Sequence, residues 1–308
     1  MHFVGHVDWS FADDPIPDSD RWRGLARSVL VGPQQGAVHT ELALGALHPG
    51  GWLQRHIHSY EEALYVLEGE LLLEHDGRVH RLVRGDYALN PLGMWHGLGN
   101  DGTQQARWMS VNTPQRLSPD LARDASRKDT LFQKGPADLA SLSARAERPQ
   151  FGPSLRYVGH YEGTPPQAEA LRLTEPARGR KPVGMNEALI VYSGISVKML
   201  VDRGFGADLL TMFTVDYEPG GSAQQHDHPF EEAYFFLAGD VEAELDGTVY
   251  QIHAGDVVFS AVGGVHGFYN NGTEQVRWIE TQAPQPPARH AYRWLPVWEK
   301  FEEENDVE

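Results

Sequence analysis

The sequence predicts an all-β protein built as two tandem barrels joined by a short, partly helical connector. Two observations carry that expectation. The first is a long internal repeat. Gly50, His56, His58, Glu62 and Gly69 return in the same order as Gly220, His226, His228, Glu232 and Gly239, each 170 positions later. Gly85, Gly93, His96 and Asn100 return at the same offset as Gly255, Gly263, His266 and Asn270. The second is turn punctuation at intervals that leave room for short strands but not for helices.

Each element follows from the repeat. The stretch from Gly24 to Gln115 lies on Gly194 to Gln285 without a gap, with matches such as Leu30/Leu200, Asp86/Asp256, Trp108/Trp278 and Pro114/Pro284. A shorter echo at another offset, His2-Phe3-Val4-Gly5-His6 against Arg156-Tyr157-Val158-Gly159-His160, predicts that each unit opens with a strand. A period this long marks duplicated domains, not a solenoid. Residues 71–75 and 78–82 flank Asp76-Gly77, and Asp246-Gly247 stands at the equivalent place, so each half should hold a hairpin closed by a turn with positive φ. Asp101-Gly102 and Asn271-Gly272 predict another such turn in each half. Helix signals fall only in the connector: Ser118 before Pro119 and Asp120 forms a helix start, and 136–148 reads as a short helix. The Pro-rich 164–182 stretch reads as a loop, and the acidic 301–308 end as frayed. The expected division is 1–115 for the N-terminal domain, 116–155 for the connector, 156–290 for the C-terminal domain and 291–308 for a tail.

Composition narrows the function. With 41% hydrophobic and 22% charged residues and no apolar run long enough to span a bilayer, the chain reads as a globular protein with no membrane partner. A formal charge of −17 repels nucleic-acid phosphates, so no nucleic-acid partner is expected. Cysteine is absent, which excludes disulfides, thiolate nucleophiles and Cys-based metal sites. Residues 1–10 carry no basic region followed by an apolar stretch, so a cytoplasmic location is expected. Oligomeric state is left open, with a homodimer as one option.

The chemistry-bearing residues are those of the repeat. On a strand, residues i and i+2 share a face, so His56 and His58 project together, as do His226 and His228. Glu62 and Glu232 follow after a bend, and another strand delivers His96 or His266. Three imidazoles and a carboxylate suit a borderline divalent metal: Fe, Mn, Ni, Cu, Co or Zn, with Fe or Mn favoured. Ligands converging from several strands of a barrel imply an interior that is not fully packed. Strand parity puts Gln54 and Gln224 toward that space, with Leu64 and Val66 in the first half and Tyr234 and Phe236 in the second. Met94 and Phe268 complete the candidate pocket. The same parity sends Glu61, Glu231 and Arg55 the other way, toward solvent. Trp52, Trp95, Trp108 and Trp278 could stack a planar substrate, but packing is the commoner use of such rings. The run Gly97 to Gly102 fits a dinucleotide-binding spacing, but no helix pattern follows it. Asn271-Gly272-Thr273 reads as a turn and not as a glycosylation site.

These blocks resemble the two signature motifs of the cupin superfamily, whose fold is a double-stranded β-helix or jelly-roll barrel. Their doubling is similar to that of the bicupins, which include quercetin dioxygenases, oxalate decarboxylases and ureidoglycine aminohydrolases. The resemblance implies metal ligation by His56, His58, Glu62 and His96 in one half and by His226, His228, Glu232 and His266 in the other. Ala261 stands where the motif usually has proline, which affects a turn and not a ligand. The connector between about 116 and 185 has no counterpart in the motifs. Cupins host many reactions, so the superfamily alone does not set the chemistry. The leading expectation is a metal-dependent dioxygenase of a small phenolic, enol or carboxylate compound, in which Glu62 or Glu232 also moves a proton. The alternatives are a metal-dependent hydrolase, lyase or decarboxylase, and a non-catalytic small-ligand binder.

Overall fold

The computed structural model describes residues 1–75, 77–116, 130–135, 137–151, 155–163, 192–286 and 293–294, with 192, 193, 293 and 294 described by their backbone only. The helix start expected at Ser118, the Pro-rich 164–182 loop and the 301–308 end lie outside these residues.

The first half contains β1 (His2–His6), β2 (Trp22–Val31), β3 (Glu41–His58), β4 (Glu61–Glu68), β5 (Glu70–His75), β6 (Arg78–Val83), β7 (Asp86–Asn90), β8 (His96–Gly99) and β9 (Ala106–Thr113). The connector adds β10 (Thr130–Phe132), α1 (Leu139–Arg145) and β11 (Ala146–Glu147). The second half repeats the first as β12 (Val158–His160), β13 (Tyr192–Val201), β14 (Thr211–Asp227), β15 (Glu231–Ala238), β16 (Val241–Leu245), β17 (Thr248–Ile252), β18 (Asp256–Ser260), β19 (His266–Tyr269) and β20 (Val276–Ala283), followed by β21 (Arg293–Trp294). Short 3-10 turns lie at Trp9–Asp13 and Pro33–Gln35. The expected connector helix is present but shorter, with Asp138 accepting from the Ser141 backbone N–H at its N-terminus.

Each half curls because one long strand serves two partners. β3 pairs with β9 over Glu41 to Leu47 and with β8 from Trp52 to His56. β14 does the same with β20 and β19. The bend falls at Gly50 (φ 75) and Gly220 (φ 79), a conformation that L side chains avoid. Gly45 has a different reason. A Cβ there would come within 2.3 Å of the Trp108 ring that packs over it.

The turn at Asp246-Gly247 has φ 47 and 78, as the hairpin reading requires, and it joins β16 to β17. The Asp101-Gly102 and Asn271-Gly272 turns depart from expectation. They link β8 to β9 and β19 to β20, which do not pair with each other, and neither glycine has positive φ. Asn100 builds the first turn instead: its Oδ1 accepts from Gly102 N–H at 2.9 Å, and its Nδ2 donates to Leu47 O at 2.7 Å and Gln104 O at 2.8 Å. Asn270 repeats the arrangement with Gly272, Tyr217 and Glu274.

The two halves are interwoven. The leading strand of each repeat pairs with the barrel of the other: β1 with β18, from His2↔Ser260 to His6↔Asp256, and β12 with β7, from Val158↔Ala88 to His160↔Asp86. The duplicated aspartates hold these strands, Asp86 accepting from His160 Nδ1 at 2.7 Å and Asp256 from His6 Nδ1 at 2.6 Å. One contiguous core then runs between the barrels, with Leu42, Tyr65, Leu89 and Met109 against Met212, Phe235, Phe259 and Ile279.

This shared core corrects the reading of Glu61 and Glu231. Both point away from their own barrel, as parity requires, but the space outside is the other barrel, and each is 1% exposed. Glu231 accepts from the N–H groups of Val38 (2.6 Å), His39 (3.0 Å) and Thr40 (2.9 Å). Glu61 accepts from Asp208 (2.7 Å) and Leu209 (2.9 Å). Arg55 is half-buried, its guanidinium 5.6 Å from the Trp95 ring centre.

Truncating such a carboxylate strands several buried N–H donors. Glu231→Ala should cost on the order of 3 kcal/mol, read as a lower urea midpoint, with Glu61→Ala close behind. Glu68→Ala, which breaks an exposed ion pair with Arg107, should cost under about 1 kcal/mol. Equal effects for Glu231→Ala and Glu68→Ala would contradict the interlock.

Candidate metal centres

In the first barrel, β3 supplies His56 and His58 and β8 supplies His96. In the second, β14 supplies His226 and His228 and β19 supplies His266. Within each trio the available ring nitrogens lie within 4.8 Å of one another, and all six histidines are buried.

The backbone sets which nitrogen faces inward. His56 Nδ1 donates to Gln54 O at 2.8 Å, His58 Nδ1 to Tyr60 O at 2.6 Å and His96 Nδ1 to Met94 O at 2.9 Å. The second trio repeats this on Gln224 O (2.8 Å), Phe230 O (2.9 Å) and Gly264 O (3.0 Å). A carbonyl can only accept, so each Nδ1 carries the proton and each Nε2 presents a lone pair to the centre. Burial, and then the charge of a neighbouring histidine, pulls His56 and His226 well below the ordinary imidazole range, which keeps these rings neutral as ligation demands.

A carboxylate oxygen sits among these lone pairs. Glu62 Oε2 lies 3.4 Å from His96 Nε2 and 3.8 Å from His58 Nε2; Glu232 Oε2 lies 2.8 Å from His228 Nε2 and 3.1 Å from His266 Nε2. Burial disfavours the charged carboxylates, but the electrostatic pull of the adjacent histidines outweighs it and holds both well below the usual carboxylate range. The buried Nε2 atoms of His58, His96 and His266 make no hydrogen bond. Converging lone pairs around an anionic oxygen repel one another unless a cation lies between them. The donor set therefore fits a divalent metal ion in each barrel.

Residues that sequence reasoning passed over hold the carboxylates in place. Asn90 Nδ2 donates to Glu62 Oε2 at 3.0 Å. In the second barrel Gln282 Nε2 donates to Glu232 Oε1 at 2.7 Å, and Tyr234 OH donates to Glu232 Oε2. The repeat hides these partners because the equivalents of Asn90 and Gln282 are Ser260 and Asn112. Glu280 is a further buried acid beside Glu232. Burial, and then the Glu232 charge, raise it well above the carboxylate range. Rings also steady the ligands: His58 stacks on Tyr60 (3.8 Å, 9°) and His228 on Phe230 (4.0 Å, 5°). Phe132 on β10 lies over His56 at 5.3 Å and 27°.

The second barrel encloses a cavity of about 30 Å³, bounded by His226, Glu232, His266, Tyr234, Phe268 and Glu280 among others. Tyr234 and Phe268 thus stand where expected. Phe236 instead packs on Trp278 at 5.2 Å and does not reach the cavity. Gln224 is exposed, and Ala223 lines the cavity in its place. The cause is a register shift between Ala223 and His226, mirrored between Leu53 and His56, which breaks the alternation that parity assumes. Gln54 is buried, but its amide is spent on Gly135 O and the Arg55 backbone N–H. Met94 is half-buried and contributes its carbonyl to His96.

Interwoven β-barrels, each with three inward histidines, define a metal-binding protein with two centres. The family model for the cupin domain matches residues 43–112 and 213–281. A gentisate 1,2-dioxygenase of Ralstonia sp is 33% identical over 78 residues, covering 25% of this chain but only 22% of that protein. Polyketide synthase CurC of Streptomyces cyaneus is 31% identical over 129 residues, 41% of this chain and 84% of that protein. The crystal structure of salicylate 1,2-dioxygenase from Pseudoaminobacter salicylatoxidans with gentisate superposes with a TM-score of 0.67 at 16% identity, over 92% of this chain and 81% of that one. The chain belongs to the cupin superfamily and carries two cupin domains. Among the described residues no helix is long and apolar enough to cross a membrane.

Protein produced with ample trace metals should contain about two divalent ions per chain by elemental analysis, and His58→Ala or His228→Ala about one. A single variant that lost both ions, or neither, would contradict two self-contained centres.

Proposed function

We propose that this protein is a metal-dependent dioxygenase acting on a small phenolic, enol or carboxylate compound, and that turnover occurs at the first centre. The observation that carries the choice of centre is access. The Glu62 side chain is 18% exposed, whereas that of Glu232 is 2% exposed. The cavity of about 30 Å³ beside Glu232 has room for a water or two and not for an aromatic ring. The names of similar proteins, salicylate and gentisate 1,2-dioxygenases, support the phenolic substrate class.

In this reading His56, His58, His96 and Glu62 hold the metal, Fe or Mn, which supplies Lewis acidity and one-electron chemistry with O2 when bound. The three Nδ1–H bonds to the backbone keep the imidazole lone pairs aimed at one point, so little reorganisation accompanies substrate entry. Glu62, held ionised, takes the proton of a phenol or enol as it binds. Asn90 keeps the carboxylate turned toward the histidines while it does so. Phe132 covers His56 and limits water at the ring edge. His226, His228, Glu232 and His266 form a closed centre whose ion braces the second barrel. The substrate is a small molecule, with no nucleic-acid or membrane partner, and the cytoplasm is the expected place of work.

The test is oxygen uptake by the iron- or manganese-loaded protein with gentisate, salicylate and related phenolic acids. His56→Ala should abolish uptake, Asn90→Leu should lower kcat/KM by roughly 10–100-fold, and His226→Ala should leave most of it. Turnover that proceeds equally well without O2 would replace this reading with a hydrolase, lyase or decarboxylase. Equal loss in His56→Ala and His226→Ala would remove the assignment to the first centre.

A further inference from the structure

Away from both metal centres, the connector closes a surface cavity of about 410 Å³ against the hairpin of β5 and β6. Its charged walls are Arg78, Arg145, Arg148 and Glu147, so three guanidiniums face one carboxylate in a chain with 26 basic and 43 acidic residues. Two of the three are fixed in place from outside the cavity. Arg145 pairs with Glu74 at 3.0 Å, and Arg148 pairs with buried Asp86, one contact being 3.0 Å. Arg78 is exposed and makes no ion pair among the described residues.

The imidazole of His80 also lines this cavity. It is 6% exposed, and neither ring nitrogen makes a hydrogen bond among the described residues. Its ring contact is edge-on to His75 at 5.0 Å and 82°, which satisfies no polar atom. The ring lines the open cavity, so a ligand entering it meets an imidazole that has no hydrogen bond of its own to give up. Burial, and then the Arg78 charge, lower the His80 pKa while Glu147 opposes them. The ring is therefore neutral near pH 7, with one N–H to donate and one lone pair to accept.

We propose that this cavity is a second ligand site, for a small organic acid whose carboxylate is held by Arg78, with the charge of Arg148 beside it, and whose body lies on Val79, Pro149 and Leu155. The guanidinium fork of Arg78, unpaired among the described residues, can meet a carboxylate in two hydrogen bonds. The volume falls in the range of small-molecule sites and exceeds what a bare inorganic anion fills. His80 completes the site by hydrogen bonding to a carboxylate oxygen or to a hydroxyl on the ligand. From His80 the contacts continue inward: His75 meets the His80 ring, His75 Nδ1 lies 3.4 Å from Asn90 Oδ1, and Asn90 holds Glu62. An acid seated here is thus two side chains from the hydrogen bond that orients the carboxylate of the first centre.

Benzoate is the probe, titrated by calorimetry into the full-length, metal-loaded protein and into its His56→Ala variant, which separates this site from the first metal centre. Benzoate should still bind His56→Ala, and Arg78→Ser should weaken that binding at least about tenfold. Because Arg78 is exposed, its replacement leaves the fold intact, and the same comparison in the wild-type background serves if His56→Ala is unstable. Three results would overturn the proposal: no benzoate binding to His56→Ala at millimolar concentration, an Arg78→Ser affinity equal to that of the parent, or inorganic phosphate binding as tightly as benzoate. The first two would leave the proposed dioxygenase reaction untouched, and failure of oxygen uptake would leave this site untouched.

Discussion

Six backbone carbonyls set the chemistry of both centres. By accepting Nδ1–H from every ligand histidine they leave all six Nε2 lone pairs pointing inward, and that choice of tautomer turns buried imidazoles into a metal site. Four of these carbonyls lie two residues before their histidine, and two lie two residues after. The distortion that brings a ring back onto its own strand is therefore local to the motif. A regular strand would direct its carbonyls at neighbouring strands; the register shifts before His56 and His226 release those of Gln54 and Gln224, and the other four belong to residues between strands.

The centres are braced from outside their own barrels. Glu61 and Glu231 adjoin Glu62 and Glu232 in sequence, and each is anchored on a loop of the opposite domain. Because neighbours on a strand face opposite ways, one residue of each pair points to the histidine trio and the next grips the other barrel. Exchange of β1 and β12 and the core running between the domains have the same consequence. Relative motion of the barrels would drag the strand that carries a ligand, so the interlock is a means of holding ligand geometry as well as a source of stability.

Duplication left the ligands equal and their surroundings different. Around Glu232 the chain places Gln282, Tyr234, Glu280 and a wall of aromatic rings, which leave space for little more than water. Around Glu62 the amide of Asn90 does the orienting, and the side chain stays 18% exposed. Bulk that fills one barrel has no equivalent in the other: Tyr234 stands opposite Leu64, Phe213 opposite Ala43 and Tyr217 opposite Leu47. Identical donor sets thus sit in one nearly filled environment and one partly exposed environment.

Fold class, duplication and the eight candidate ligands were legible in the sequence, because a metal site needs particular donors at particular spacings and the repeat displays them twice. So were the Asp246-Gly247 hairpin and the connector helix, which depend on contacts between near neighbours. What alternation along a strand could not convey was decided by the tertiary structure. The bulge turned Gln224 outward and brought Ala223 in, the second barrel turned the outward-facing Glu61 and Glu231 into buried anchors, and the leading strands crossed to the opposite domain. Asn90 and Gln282 escaped notice because they serve one function from different positions in the two halves. Donor identity is a local property written residue by residue, whereas burial, access and orientation depend on what the rest of the chain places on the other side of each strand.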